Sequence, residues 1–289
     1  MKNKIAFGTA SLGIANYGIS NRELKEDPKK ILDRIFESGV DSFDVARSYG
    51  LSEEIIGKWL AESNNTVWLS TKVDGITLEN YNSDYLLEQV NVSKKLMNVG
   101  TIDLVYLHQN NIEIFSNKNV IDDLLTLKKN GLCQEVGVSI YTKNELLKAV
   151  ELGVYDWIQL PSNILDTSLL RAAKEICKSK IAVRSIFLQG AFFSKNLKSY
   201  RGIPGVEGLD EGIQLSKILA QEYRIQLETM MVSYIYGFQQ VEQVILGSRN
   251  LFFNNSINDL VINLPEDLVK KLDKISEKQK EWTNPRSWK

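Results

Sequence analysis

Short apolar runs and longer amphipathic stretches alternate along this chain from one end to the other, and that alternation limits its fold more than any other feature. The runs fall at Ile5–Gly8, Ser42–Val45, Val67–Thr71, Asp103–Leu107, Glu135–Ser139, Trp157–Leu160, Ile181–Phe187 and Val241–Leu246. Apolar residues recur at helical three- and four-residue steps in Lys29–Glu37, Ser52–Ala61, Asp84–Met97, Val120–Lys129, Lys143–Glu151, Ser168–Lys178, Glu211–Tyr223 and Pro265–Glu277. Eight strands, each followed by a helix, give the α/β count of a (β/α)8 TIM barrel, which uses about 250 residues as one domain. Most runs are apolar without a break, as strands covered by helices should be. A further apolar stretch, Ile225–Phe238, reads as the seventh helix proper, with Glu211–Tyr223 as its first half. Asp27-Pro28 opens the first helix with a cap and a proline, Ser38-Gly39 closes it, and Gly131 and Gly153 end helices ahead of strands five and six. No linker or low-complexity tract divides the chain, so residues 1–289 are expected to form a single TIM-barrel domain.

A doubly wound sheet would place Gly-Xaa-Gly-Xaa-Xaa-Gly after its first strand. The turn here reads Gly8-Thr9-Ala10-Ser11-Leu12-Gly13, which fails that pattern, and the chain has neither a phosphate loop nor a Gly-Xaa-Ser-Xaa-Gly elbow. Composition narrows function further. Lys and Arg total 35 against 36 Asp and Glu, a net charge of −1, so no overall field draws the chain to nucleic acid or an anionic membrane. One His, His108, and two Cys, Cys133 and Cys177, exclude His-rich metal sites, zinc ribbons and a multi-disulfide scaffold. Nowhere do about 18 apolar residues run together. The expectation is a cytoplasmic protein with reduced thiols and no metal. Tyr141 and Tyr155 read as scattered surface aromatics.

Barrel enzymes draw catalytic residues from the C-terminal ends of several strands. Those ends supply Asp44 after strand two, Tyr49 in the loop beyond it, Lys72 after strand three and His108 after strand four. Each alone has a structural explanation as a cap, a packed ring, a solvated amine or a satisfied imidazole, but four such groups converge on one rim. The set suits acid catalysis by a phenol. An ammonium near Tyr49 would lower its pKa from about 10 toward neutrality, Asp44 would hold that ammonium, and His108 would donate or accept a hydrogen bond that orients a carbonyl oxygen. No strong nucleophile or metal accompanies these groups, so the electron pair must come from elsewhere, and a nicotinamide hydride fits.

Phe7-Gly8-Thr9-Ala10, Phe43-Asp44-Val45-Ala46-Arg47-Ser48-Tyr49-Gly50, Leu69-Ser70-Thr71-Lys72, Asp103–His108, Val136-Gly137-Val138-Ser139, Ile158–Asn163 and Val244–Arg249 together resemble the aldo-keto reductases, in order and over nearly the whole chain. The resemblance implies a barrel binding NADP(H), with NAD(H) not excluded. It also implies Tyr49 as proton donor, Lys72 and Asp44 tuning it and His108 orienting a small-molecule carbonyl substrate. It places Gly8, Thr9, Ser139, Gln159, Arg184, Ser185, Gly247, Ser248 and Arg249 about the cofactor, with Ser139 and Gln159 on the nicotinamide carboxamide and Gly247, Ser248 and Arg249 about the adenosine phosphate. Three departures stand out. Ile140 replaces the family's common Asn, Arg184 replaces the aromatic residue that often stacks on the nicotinamide, and only Asn254, Asn255 and Asn258 remain as candidates to grip adenine. The guanidinium of Arg184 would disfavour the cationic, oxidised nicotinamide. The long connection Gln189–Asp210, with Lys195, Lys198 and Arg201, suits a lid over the pyrophosphate. The short Gln109–Asn117 loop and the compact tail Trp282–Lys289 imply a shallow, open pocket fit for a bulky polar substrate. Val183–Phe193 and Asn284–Trp288 resemble bacterial members of surface-sugar pathways, which implies a ketone on a sugar or nucleotide-sugar. The alternatives are a cofactor-binding regulatory barrel subunit with little turnover, and a barrel lyase or isomerase without a redox cofactor.

Overall fold

The computed structural model describes residues 4–15, 17–19, 26–108, 111–194, 197, 202–247, 259–277, 282 and 288. The elements run β1 (Ile5–Gly8), α1 (Ala10–Gly13), α2 (Pro28–Glu37), β2 (Ser42–Asp44), α3 (Ser52–Ser63), β3 (Trp68–Val73), α4 (Tyr85–Met97), β4 (Ile102–Leu107), α5 (Ile112–Phe115), α6 (Lys118–Lys129), β5 (Cys133–Ser139), α7 (Lys143–Leu152), β6 (Trp157–Pro161), α8 (Ser168–Ile176), β7 (Lys180–Arg184), a 3-10 segment (Leu188–Phe193), α9 (Val206–Glu222), α10 (Leu227–Tyr236), β8 (Val241–Leu246) and α11 (Glu266–Ser276). The eight strands pair in chain order, all parallel, and β8 closes on β1 to complete the expected barrel.

The unbroken apolar strands serve two cores at once. In β1, Ile5 and Phe7 face the helices while Ala6 faces the barrel interior; in β4, Val105 and Leu107 face outward while Leu104 and Tyr106 face inward. Trp157, Ala182 and Ile245 join the inner cluster, and Trp68 packs against it. The period of two that usually sorts core from solvent therefore sorts one core from another. Carried one or two residues further, the inward phase reaches Gly8, Asp44, Lys72, His108, Ser139, Gln159, Arg184 and Gly247 at the C-terminal ends of the eight strands. The interior thus changes from apolar to polar toward that rim.

Helix signals hold at most boundaries. Asp27 caps α2 through Lys29 N–H, Gly153 takes a left-handed φ of 64° to end α7, and Thr142 with Glu145 forms a capping box at the start of α7. Three expectations are corrected. Strand three runs on to Val73, so Lys72 lies within it, because its side chain is wholly buried in the barrel and not solvated past the strand end. Strand seven stops at Arg184, where Ser185 turns to a φ of 66° and breaks the extended backbone. The seventh helical stretch is two helices broken at Arg224, whose φ is 54°, and its first half begins at Val206. Of the expected lid, residues 191–193 and 206–210 are helical, Gln189 and Gly190 take left-handed backbone with φ of 53° and 90°, and Lys195, Lys198 and Arg201 lie outside the described residues. Tyr155 is not a surface aromatic: it is 4% exposed and its hydroxyl donates to the Phe115 carbonyl.

Candidate active site

Asp44 ends β2 pointing into the barrel and collects three donors. Lys72 Nζ lies 2.5 Å from Oδ2, while Ser70 Oγ at 3.1 Å and Gln159 Nε2 at 2.9 Å meet Oδ1. The Gln159 contact crosses the barrel from β6. Lys72 Nζ also donates to the Val45 carbonyl at 2.8 Å, and neither Lys72 nor Asp44 meets solvent appreciably. Burial pulls the Lys72 ammonium below the usual lysine value against the attraction of Asp44.

Tyr49 sits on a turn that closes through Tyr49 N–H to the Ala46 carbonyl at 3.0 Å. The turn lies directly against the end of α1: Leu51 N–H donates to the Gly13 carbonyl, and a Cβ on Gly13 would come within 1.8 Å of the Tyr49 carbonyl oxygen. Only glycine admits that approach. From this seat the Tyr49 ring lies 4.7 Å from Lys72 Nζ and 6.0 Å from the His108 ring, edge to face. The expected lowering of the phenol's pKa is not what the surroundings produce. Burial pushes it well above the ordinary value and the Asp44 carboxylate adds to the rise, against a smaller opposing pull from Arg184. The Lys72 charge is committed to Asp44, so Tyr49 rests as a neutral acid.

His108 follows β4, its N–H donating to the Val73 carbonyl at 2.7 Å. Its Nδ1 lies 3.4 Å from Asp74 Oδ2 and 3.3 Å from Ser48 Oγ. Burial lowers the imidazole pKa despite the Asp74 contact, and the charges of Lys72 and Arg184 lower it further. Arg184 ends β7 with its guanidinium stacked 3.9 Å over the Tyr141 ring, while Nη2 donates to the Ile140 carbonyl at 3.0 Å and lies 3.4 Å from Ser139 Oγ. Tyr141 is thus part of this rim and not a scattered aromatic.

The expected cofactor contacts divide. Ser139 and Gln159 are register partners on β5 and β6, and Gln159 Oε1 is buried without a hydrogen-bond partner. Thr9 is committed elsewhere, both its amide and its hydroxyl donating to the Asp44 carbonyl. Gly8 is inward and buried, Ser185 Oγ lies 3.5 Å from Arg184 Nη1, and the Gly247 carbonyl accepts from Ser11 Oγ at 3.2 Å. Ser248, Arg249, Asn254, Asn255 and Asn258 lie outside the described residues.

Two carboxylates at this rim were not anticipated. Asp74, two residues after Lys72 and so on the same inward phase, could have been found by continuing strand three. Glu53, 2% exposed, accepts from Arg47 at 2.9 Å and from Thr71 Oγ1 at 2.7 Å, tying the Tyr49 loop to β3. An acidic residue in a helix's first turn ordinarily reads as a response to the helix dipole, which hid it.

The chain belongs to the aldo/keto reductase family, whose model matches residues 4–277. Members of that family are NAD(P)H-dependent carbonyl reductases. The chain is 26% identical to an aldo-keto reductase of Strobilurus tenacellus over 95% of its own length and 89% of that protein's. It is 29% identical to the D-arabinose 1-dehydrogenase of Saccharomyces cerevisiae over 43% of its length and 41% of that protein's. It shares 29% identity with the methylglyoxal reductase DkgB of Salmonella typhi over 47% of its length and 52% of that protein's. Its fold is similar to that of a holo-form aldo-keto reductase from Bacillus halodurans, with a TM-score of 0.75 and 21% identity, covering 94% of this chain and 92% of that one.

Proposed function

We propose that this chain is an NADPH-dependent reductase of an aldehyde or ketone in which Tyr49 delivers the proton. The observation that carries the reading is the Tyr49 ring seated 4.7 Å from the Nζ of Lys72, itself sequestered in an ion pair with Asp44. The donor set fits a nicotinamide: Gln159 Oε1 is a buried acceptor lacking a donor, beside Ser139, and a carboxamide N–H would satisfy it. Gly247, Ser248 and Arg249 would hold the adenosine phosphate. When bound, the reduced nicotinamide supplies a hydride to the carbonyl carbon. Tyr49 gives its proton to the carbonyl oxygen, and the Lys72 ammonium offsets the phenolate charge left behind until solvent restores the proton. His108 orients the carbonyl, and the Arg184 guanidinium favours the uncharged, reduced ring over its cationic product.

The residues expected to form a lid are proposed to cover the cofactor on the β7 side of one barrel domain. We take the substrate to be a sugar or nucleotide-sugar carbonyl, a reading supported by the relative named for D-arabinose. The two free cysteines, one of them buried, suit a cytoplasmic setting. Fluorescence titration with NADPH and NADH should show binding, tighter for NADPH; no binding of either would leave a barrel without redox chemistry. Tyr49→Phe should then lose about 100-fold or more in kcat while still binding cofactor. Full retained turnover would remove Tyr49 as the acid.

A further inference from the structure

Among the described residues no carboxylate forms an ion pair with Arg184, a half-buried cation at the end of β7. The three carboxylates of this rim are engaged elsewhere: Asp44 with Lys72, Glu53 with Arg47, and Asp74 beside His108. Neutral groups alone fix the guanidinium. The Tyr141 ring stacks 3.9 Å from it, the Ile140 carbonyl accepts from Nη2 at 3.0 Å, and the Ser139 and Ser185 hydroxyls lie at 3.4 and 3.5 Å. A guanidinium carries five N–H donors, and one of them has a close acceptor here. Arg184 is thus held in place with its charge uncompensated and most of its fork unused, an arrangement suited to a carboxylate or a phosphate. Partial burial makes an unpaired charge costly, so an anion that completes the pair gains what the folded chain alone forgoes.

Contacts across the barrel mouth connect this cation to the proton donor. Ser139, next to the guanidinium, registers with Gln159, whose Nε2 reaches Asp44 at 2.9 Å; Asp44 holds Lys72, and Lys72 Nζ lies 4.7 Å from the Tyr49 ring. The adenosine phosphate of the cofactor would sit at the end of β8, about Gly247, Ser248 and Arg249, so an anion at the end of β7 beside Ser139 belongs to the substrate. We propose that Arg184 is a substrate-binding residue that holds an anionic group, and that the substrates are carbonyl compounds bearing a carboxylate or a phosphate. The anion subsite rests on geometry; its service to a carbonyl substrate rests on the proposed function. Among sugars it selects acidic and phosphorylated forms, nucleotide-linked ones included, over neutral ones.

Two matched pairs of compounds test this: succinic semialdehyde against butanal for a carboxylate, and D-glyceraldehyde 3-phosphate against D-glyceraldehyde for a phosphate. With NADPH, the wild type should favour the anionic member of at least one pair by about tenfold or more in kcat/KM, and the pair with the larger ratio identifies the anion. Both members of a pair meet the same bound cofactor, so their ratio cancels any change in cofactor handling. Arg184→Met, which keeps an unbranched side chain against Tyr141, should bring the ratio to about one, and Arg184→Lys, which keeps the charge without the fork, should retain part of it. A wild type without preference in either pair overturns the proposal with no variant needed. A folded Arg184→Met protein with its preference intact overturns it as well, and a raised NADPH dissociation constant in that protein would give the charge to the cofactor. If none of the four compounds is reduced, the reductase reading fails, and calorimetric titration with sodium succinate and with inorganic phosphate decides the anion site. Binding to the wild type that Arg184→Met loses upholds the site; equal binding, or none to either protein, removes it.

Discussion

Asp44 is held by one cation and two neutral donors, and the three are not equivalent. Ser70 and Gln159 satisfy lone pairs, but only Lys72 cancels the charge. Removing one partner of a buried ion pair strands the other, which costs about 3–5 kcal/mol, whereas removing both leaves a smaller penalty. Lys72→Met should therefore lower unfolding stability by about that amount in urea titrations, and the double variant Asp44→Asn with Lys72→Met should recover part of it while remaining inactive. Equal stabilities for the single and double variants would mean the pair is not acting as one unit. At this scale the sequence exposed the four groups because rare side chains fell at strand ends. It could not expose the direction of the Tyr49 shift, which depends on burial and on Lys72 being committed to Asp44. Asp74 is hidden in the sequence because the apolar run Val67–Thr71 stops two residues short of the end of β3 at Val73, so that nothing marks Asp74 as continuing the alternation. Glu53 went unseen because its partners, Arg47 and Thr71, are brought to it only by the fold.

Two glycines show how elements divide stability from function. A Cβ on Gly13 would stand 1.8 Å from the Tyr49 carbonyl oxygen and 2.5 Å from Ser52 N, while one on Gly57 would stand 1.9 Å from the Leu96 carbonyl oxygen, where α3 crosses α4. Both meet backbone, so neither clash is relieved by a side-chain rotation. Gly57→Ala must push α3 and α4 apart without touching the Tyr49 turn, and should cost about 1–3 kcal/mol with kcat retained by the folded fraction. Gly13→Ala must shift the turn that carries Tyr49, and a displacement of about 1 Å at a reacting group can cost about 100-fold in rate. Measuring melting temperature and kcat on both variants separates the roles; matching kcat losses would deny α1 its part in seating the phenol. Element identity was largely legible, since the 2- and 3.6-residue periods differ. Ends were less so: the break at Arg224 and the end of β7 at Ser185 are left-handed backbone at residues whose side chains give no warning of it.

The whole barrel was legible from the count of eight alternating units, because closure follows once parallel strands and covering helices repeat that often. Its inner core was harder to see, since strands that serve two apolar layers show no alternation of polarity until their last residues. That double core also buries phenols, with a consequence for the molecule as a whole. Burial raises the pKa of Tyr106 and Tyr155 well above the ordinary value and that of Tyr234 to about 12. Below about pH 10 both folded and unfolded chains hold these protons, and stability is unaffected. Above it the unfolded chain releases them while the folded chain keeps them, so the unfolded state binds fewer protons and stability falls as pH rises, until about pH 12 for Tyr234. Buried Lys72 acts oppositely, its lowered pKa adding stability as pH rises, but it is one group and its effect ends near the unfolded lysine value of about 10.5. Three phenols at about 1.4 kcal/mol each per pH unit outweigh it and together approach the whole stability of an ordinary domain. The urea midpoint should drop steeply above about pH 10, once the phenol loss outruns the Lys72 gain, and tyrosinate absorbance should lag before rising in one cooperative step with unfolding. A smooth titration of all 11 tyrosines near pH 10 with the fold intact would show that these rings reach solvent in the native barrel.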